Sequence, residues 1–350
     1  MGNKQHGSSV DRRSFLTYSG GAIGASVLLT GYLSQDDDND TDDVPEETLE
    51  TALLVPSLEF TFFARMEESF EDAQEELNVE GTFYDNRNDE STQASNFEDA
   101  VLGDPDFIMV SPITSEGIVP SIELANDEDI PVVTIDRDAE DGETATYVAS
   151  DNVDLGYRST SLCLEFMQER DEQDTYQIVE LQGTPGASVA LERNEGFQEA
   201  VDEHDELEEL DSQTGEFTTE DALTVTEDFI TAHGDDIDGV FAQNDLMALG
   251  AQRALEAGGM DDVPITGIDG TDEWVEQIIE RDHYGTIAQL PEEMVFTAVE
   301  MGRRAVEGED LEEFYPIAGL EVTQENAEEY LEGVDVADEG EGEGEGEEDE

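Results

Sequence analysis

The sequence predicts an α/β protein of two lobes built on parallel sheets, and three observations carry that expectation. The chain has 350 residues, more than a single hydrophobic core ordinarily takes and enough for two domains. Short, continuously apolar runs alternate with amphipathic stretches, the pattern of strands buried on both faces and connected by helices. Two of those runs end alike, in Thr134-Ile135-Asp136 and Gly267-Ile268-Asp269, which points to two lobes of related topology facing each other.

The strand runs lie at 51–55, 79–84, 107–110, 132–135, 177–181, 239–242, 265–268 and 286–288. Between them, Phe63, Met66, Phe70, Ala73 and Leu77 keep a three-four spacing, as do Leu246, Leu249 and Leu255 with the alanines beside them. That period puts one face of a helix on a core. Folded structure is expected from 50 to 332. It is preceded by an Asp-rich tether at 35–49 and followed at 333–350 by an acidic Gly/Glu repeat that cannot bury a core.

Charge narrows the function. Asp and Glu number 94 against 13 Lys and Arg, for a net charge of -81, so nucleic acid is excluded as a partner. Lys4 is the only lysine, and ten arginines follow the first 34 residues. Such a surface suits a protein working in molar salt, where the Debye length is about 3 Å. The one cysteine, Cys163, sits in an apolar helical stretch and reads as a buried, inert thiol. Four histidines far apart in polar contexts offer neither zinc-ligand spacing nor a catalytic triad, and no cofactor is expected.

Residues 1–34 read as an export signal. Asp11-Arg12-Arg13-Ser14-Phe15-Leu16 precedes a weakly apolar, glycine-diluted stretch of 16 residues, 18–33, which is short of the roughly 20 that a spanning helix needs. The segment resembles a twin-arginine signal. Leu29-Thr30-Gly31 is followed by Tyr32 where a lipoprotein box would have cysteine. The expected location is the outer face of the cytoplasmic membrane or the medium, with an uncleaved signal as anchor or with release.

In open parallel sheets ligands sit beyond the carboxyl ends of the strands. Those positions hold Asp136 and Arg137, then Gln243, Asn244 and Asp245, then Asp269 and Gly270. Two carboxylates, Arg137 and Asn244, with rings such as Phe62, Phe63 and Phe217 over the C–H faces, suit a neutral polyol. Hydrogen bonds from hydroxyls to ionised groups contribute about 1.5–3 kcal/mol each.

Longer stretches become specific. They are IDRDA at 135–139, ASDN at 149–152, VELQGTPG at 179–186, RNEGFQEAV at 193–201, VFAQNDLMALGAQRAL at 240–255, GIDGT at 267–271 and TIAQLP at 286–291. In order and from about 51 to 322, the chain resembles the ribose-binding members of the type I periplasmic binding protein family. The resemblance implies two Rossmann-like lobes, 50–150 with 290–318 and 151–289 with 319–332. Three crossing strands would join them near Ser150 and Asp151, near Gln289 and Leu290, and near Ala318 and Gly319. It implies capture of a monosaccharide by lobe closure and delivery to an ABC transporter permease, by a monomer that can also serve a chemoreceptor. The family's sugar contacts fall on Phe62, Phe63, Asp136 and Arg137 in the first lobe. In the second they fall on Arg193, Phe217, Asn244 and Asp269, with Gln289 at a crossing. Four positions depart from the ribose pattern: Pro56 for Ser, Phe60 and Ser111 for Asn, and Ile268 for Phe. They are expected to reshape the pocket toward another pentose or a small hexose.

A glycosidase reading of Asp136 and Asp269 fails on chemistry, because Arg137 would lower the pKa that a general acid needs raised. A repressor of the same fold would carry a basic helix-turn-helix where this chain has an acidic tether.

Overall fold

The computed structural model describes residues 47–333; the expected export signal, most of the tether and nearly all of the acidic tail lie outside the described residues. The first sheet has six strands in the order β2-β1-β3-β4-β5-β11, and the second has six in the order β7-β6-β8-β9-β10-β12. The strands of the first are β1 (Leu49–Val55), β2 (Val79–Asp85), β3 (Phe107–Val110), β4 (Val132–Ile135), β5 (Thr146–Ser150) and β11 (Phe314–Ile317). Those of the second are β6 (Tyr176–Gln182), β7 (Leu207–Thr214), β8 (Gly239–Ala242), β9 (Ile265–Asp269), β10 (Tyr284–Ala288) and β12 (Leu320–Val322). Every pairing is parallel except β10 with β12. The expected two-lobed parallel α/β architecture is therefore the observed one. The two strand orders are the same, as the matching strand ends foretold.

The central strands are apolar throughout because helices cover both faces: β3, β4 and β8 are buried at every residue. Helix α1 (Thr61–Glu76) follows β1 and buries Phe62, Phe63, Met66, Phe70 and Ala73. Helices α2 (Glu90–Leu102) and α3 (Val119–Asp127) complete the first βα units. Around the second sheet stand α4 (Asn152–Arg170), α5 (Ser188–Glu203), α6 (Thr219–His233), α7 (Asp245–Gly258) and α8 (Asp272–Glu280). After β10 the chain returns as α9 (Pro291–Val306), packed on α1 and on β3 and β4 of the first sheet. The short α10 (Ala327–Leu331) packs on α8.

The chain passes between sheets at three places: from β5 into α4, from β10 into α9, and from β11 into β12. Arg158 of α4 donates to Gly319 O at 3.0 Å, tying the third passage to the second lobe. Helices α4 and α5 approach so closely that a Cβ on Gly156 would lie 2.3 Å from Arg193 O, and one on Gly196 would lie 2.0 Å from Val153 O. Cys163 is buried in α4, and burial pushes its thiol up to about 12, in keeping with an inert role. β1 starts at Leu49, inside the stretch expected as tether, because Leu49 is buried.

Candidate functional site

The carboxyl ends of both sheets meet at one cavity. From the first lobe it receives Phe60, Phe62 and Phe63 at the start of α1, and Asp136 and Arg137 after β4. From the second it receives Val189 and Arg193 on α5, Phe217 after β7, Asn244 after β8 and Asp269 at the end of β9; Gln289 enters from the passage after β10. The cavity is small, about 30 Å³, because the groups around it are themselves nearly buried. Gln289 is 1% exposed, Arg193 2%, and Asp136 and Arg137 3%. Two hydrogen bonds bridge the lobes near the site: Ser115 N donates to Gly186 O, and Asp138 N to Ser188 Oγ, each at 2.9 Å. With these bonds made, the lobes stand closed on each other beside the cavity.

Three site residues hold left-handed backbone without being glycine: Asp136 at φ 62°, Phe217 at φ 61° and Asp269 at φ 130°. Such conformations cost about 1–3 kcal/mol each and persist where the surroundings impose them. Around Asp136 they do: Arg137 N donates to Ile135 O at 2.7 Å, Asp136 N to Val148 O at 2.9 Å, and Tyr147 Oη to Asp136 O at 2.8 Å. The carboxyl and the guanidinium that follow β4 are thereby turned into the cavity.

Four buried charges cancel. Arg137 Nε lies 3.7 Å from Asp136 Oδ2, and Arg193 Nη1 lies 3.8 Å from Asp269 Oδ1. Contrary to the expectation that Arg137 would lower it, the Asp136 carboxyl stands above its ordinary range, because burial outweighs the opposing Arg137 and Arg193. It pushes Asp269 up to about 6, with Arg193 opposing, and pulls Arg137 down to about 10, with Asp136 opposing. Hydrogen bonding in the site is incomplete. Arg137 Nε and Gln289 Oε1 are buried with no partner, whereas most buried polar atoms have one. Gln289 Nε2 donates to Asp269 Oδ1 at 2.9 Å. Asn244 Oδ1 caps α7 by accepting from Met247 N at 3.0 Å, while its Nδ2 makes only a 3.4 Å bond to Phe217 O. The site thus offers spare donors and spare acceptors together.

The rings complete the walls. The Arg137 guanidinium carbon lies 5.5 Å from the Phe63 centroid and 5.3 Å from that of Phe217, within cation–π range. Phe217 reaches this place because residue 183 is glycine: a Cβ there would lie 1.9 Å from the ring's ζ carbon.

All nine expected sugar contacts line this cavity, and so does Phe60 among the four departures; Ser111 does not. Ser111 is fully buried just behind it, and its Oγ donates to Asp136 Oδ2 at 3.4 Å. Two of the departures, Ile268 and Pro56, do not line the cavity. Ile268 is buried in the core with Leu155, Phe241 and Ile287, because its neighbour Asp269 takes the cavity side of β9. Pro56 is likewise absent from the lining.

Sequence reasoning missed Val189, although it precedes Arg193 by one helical turn and so shares its face. It also missed Glu180, fully buried in β6. Its carboxylate accepts from Gln182, Asn194, Ser212 and Gln243. Gln243, held in turn by Gly183 N, presents its carbonyl to Arg193 Nη1 at 2.6 Å. A charged residue inside an apolar strand run was the available signal.

A family model described as a periplasmic binding protein domain matches residues 51–310. The chain belongs to this periplasmic binding protein family. The ribose import binding protein RbsB of Escherichia coli (strain K12) is 34% identical over 266 residues, 76% of this chain and 88% of that one. A xylitol-binding protein of Mycolicibacterium smegmatis is 28% identical over 257 residues, 73% of this chain and 72% of that one. Among solved structures, an ABC transporter solute binding protein from Bacillus halodurans C-125 with bound myo-inositol matches with a TM-score of 0.73 at 28% identity, covering 83% of this chain and 99% of that chain. Periplasmic binding proteins work outside the cytoplasm as substrate-binding partners of ABC transporters and are not enzymes. Among the described residues of this one, no helix is long and apolar enough to cross a membrane, and no cluster of His, Cys, Asp and Glu is arranged for a metal.

Proposed function

We propose that this periplasmic binding protein captures a neutral monosaccharide, a pentose or small hexose, and delivers it to an ABC transporter. The observation that carries the reading is the cancelled charge of Asp136, Arg137, Arg193 and Asp269 together with the unpartnered Arg137 Nε and Gln289 Oε1. A sugar acid or amino sugar would bring an uncompensated charge into a buried site. A neutral polyol supplies the missing acceptor and the missing donor at once. Ribose, xylitol and myo-inositol, the compounds named for the relatives, are all of that kind. Three or four charge-assisted bonds, less ordering costs, support micromolar affinity, about -8.2 kcal/mol.

The segment around Arg12 and Arg13 supports export by the twin-arginine route, and the acidic stretch behind it a tether to the outer face of the membrane. The lysine-poor, carboxylate-rich composition supports life in molar salt. Calorimetric titration in molar salt with ribose, xylose, arabinose, galactose, glucose and myo-inositol, beside glucuronate and glucosamine, tests the function. At least one neutral sugar should bind at micromolar levels and the ionic pair should not. Because Phe60 and Ser111 stand where ribose binders have asparagine, ribose should bind no better than another neutral sugar. Binding of ribose alone refutes the altered specificity, and binding of no neutral monosaccharide, deoxy sugars included, refutes the function.

A further inference from the structure

The cavity's polar groups are unevenly placed. The segments after β4, β8, β9 and β10, with α5, bring all of its charged and amide side chains; the segment after β1 brings only Phe60, Phe62 and Phe63. The short hydroxyls nearby are engaged elsewhere. Ser57 Oγ accepts from Glu59 N at 3.2 Å, and Ser111 Oγ is turned to Asp136. The three rings pack together, with centroids 6.3 Å apart for Phe60 and Phe63 and 5.3 Å for Phe62 and Phe63.

Phe60 is also out of place as a helix residue. It is the N-cap of α1, and no side chain there bonds the free N–H groups of the first turn. Asp89, Asp151, Thr218 and Asn244 perform that service for α2, α4, α6 and α7, as short polar residues normally do, while α3, α5, α8 and α9 share the lack with α1. α1 forgoes its cap for an aromatic ring that is 7% exposed and faces the cavity. A sugar hydroxyl pressed against that ring loses its water and finds no partner, whereas a hydrogen or methyl in its place buries apolar surface.

Resting on the sugar-binding reading, we infer that the ligand is a deoxy sugar: a neutral monosaccharide whose carbon facing Phe60 carries hydrogen or methyl where common pentoses and hexoses carry hydroxyl or hydroxymethyl. Phe60 is then the residue that sets specificity, and the polar set of the second lobe fixes the rest of the ring.

Matched pairs test this by calorimetric titration in molar salt: D-fucose with D-galactose, L-fucose with L-galactose, L-rhamnose with L-mannose, and 5-deoxy-D-ribose with D-ribose. In the pair that binds best, the deoxy member should bind about tenfold tighter. Phe60→Asn restores a cap as well as a polar partner. The cap offsets only part of the lost ring burial, so the variant should melt somewhat lower than the wild type, and it should shift the ratio about tenfold toward the hydroxylated member. Equal or tighter binding of the hydroxylated member in every pair overturns the inference and leaves sugar binding standing, as does an unchanged ratio in Phe60→Asn. Failure of all eight sugars overturns the inference, and sugar binding falls with it only when xylose, arabinose, glucose and myo-inositol fail as well.

Discussion

Asp269 keeps its carboxyl in the cavity on left-handed backbone, with Gln289 and Arg193 as its near partners and the buried Asp245 behind it. Asp245 is itself held by Thr271 and Thr286, and its carboxyl is raised by burial and by the charge of Asp269. Because Asp269 rises from 3.8 to about 6 on folding, the folded protein binds more protons than the unfolded chain between those values. Its favourable contribution is complete below the unfolded pKa and is lost as pH rises through about 6. Melting curves of ligand-free wild type and Asp269→Asn should therefore diverge with pH. The wild type loses ground to the variant from about pH 4 to pH 7, and parallel curves would refute the raised pKa. The same variant should bind sugar more weakly by about 1.5–3 kcal/mol, as should Arg193→Ala. Arg253→Ala, which removes only an exposed pair with Glu273, should bind as the wild type does. A site with this strain and buried charge trades stability for binding.

At the scale of elements, glycines set how closely the pieces that carry the site approach. Gly183→Ala would drive a methyl into the Phe217 ring, so the ring must leave the cavity wall. Sugar affinity should fall at least about tenfold while the melting temperature drops modestly, and an unchanged affinity would show that the ring does not bear on the ligand. The strand pattern was legible wherever strands are buried on both faces: β3, β4 and β8 run as the apolar runs do. It was not legible at β7, β11 and β12. These strands lie at sheet edges or are too short, with β7 carrying Glu208, Glu209 and Asp211 among polar residues, so that it looks like loop. β5 was also missed, since Thr146–Ser150 is a brief run with polar ends. The site was legible because strand ends are where such sheets gather polar groups, and the family resemblance added Arg193 and Gln289. Ile268 misled because the alternation of a strand, not its proximity to Asp269, decides which side chain faces the cavity.

Over the whole molecule, the excess of 94 carboxylates over 13 cations repels itself when screening is weak. The melting temperature followed by far-ultraviolet circular dichroism should fall markedly between about 3 M and 0.1 M salt, and equal values would refute dependence on salt. Two of the contacts between the lobes are of another kind. Ser115 N to Gly186 O and Asp138 N to Ser188 Oγ join neutral dipoles across the mouth of the cleft, not ions. Dipoles at hydrogen-bond distance are hardly screened, whereas exposed ion pairs such as Arg253 with Glu273 fade in concentrated electrolyte. A change in salt that alters the repulsion among the carboxylates should therefore leave these two hydrogen bonds between the lobes nearly untouched.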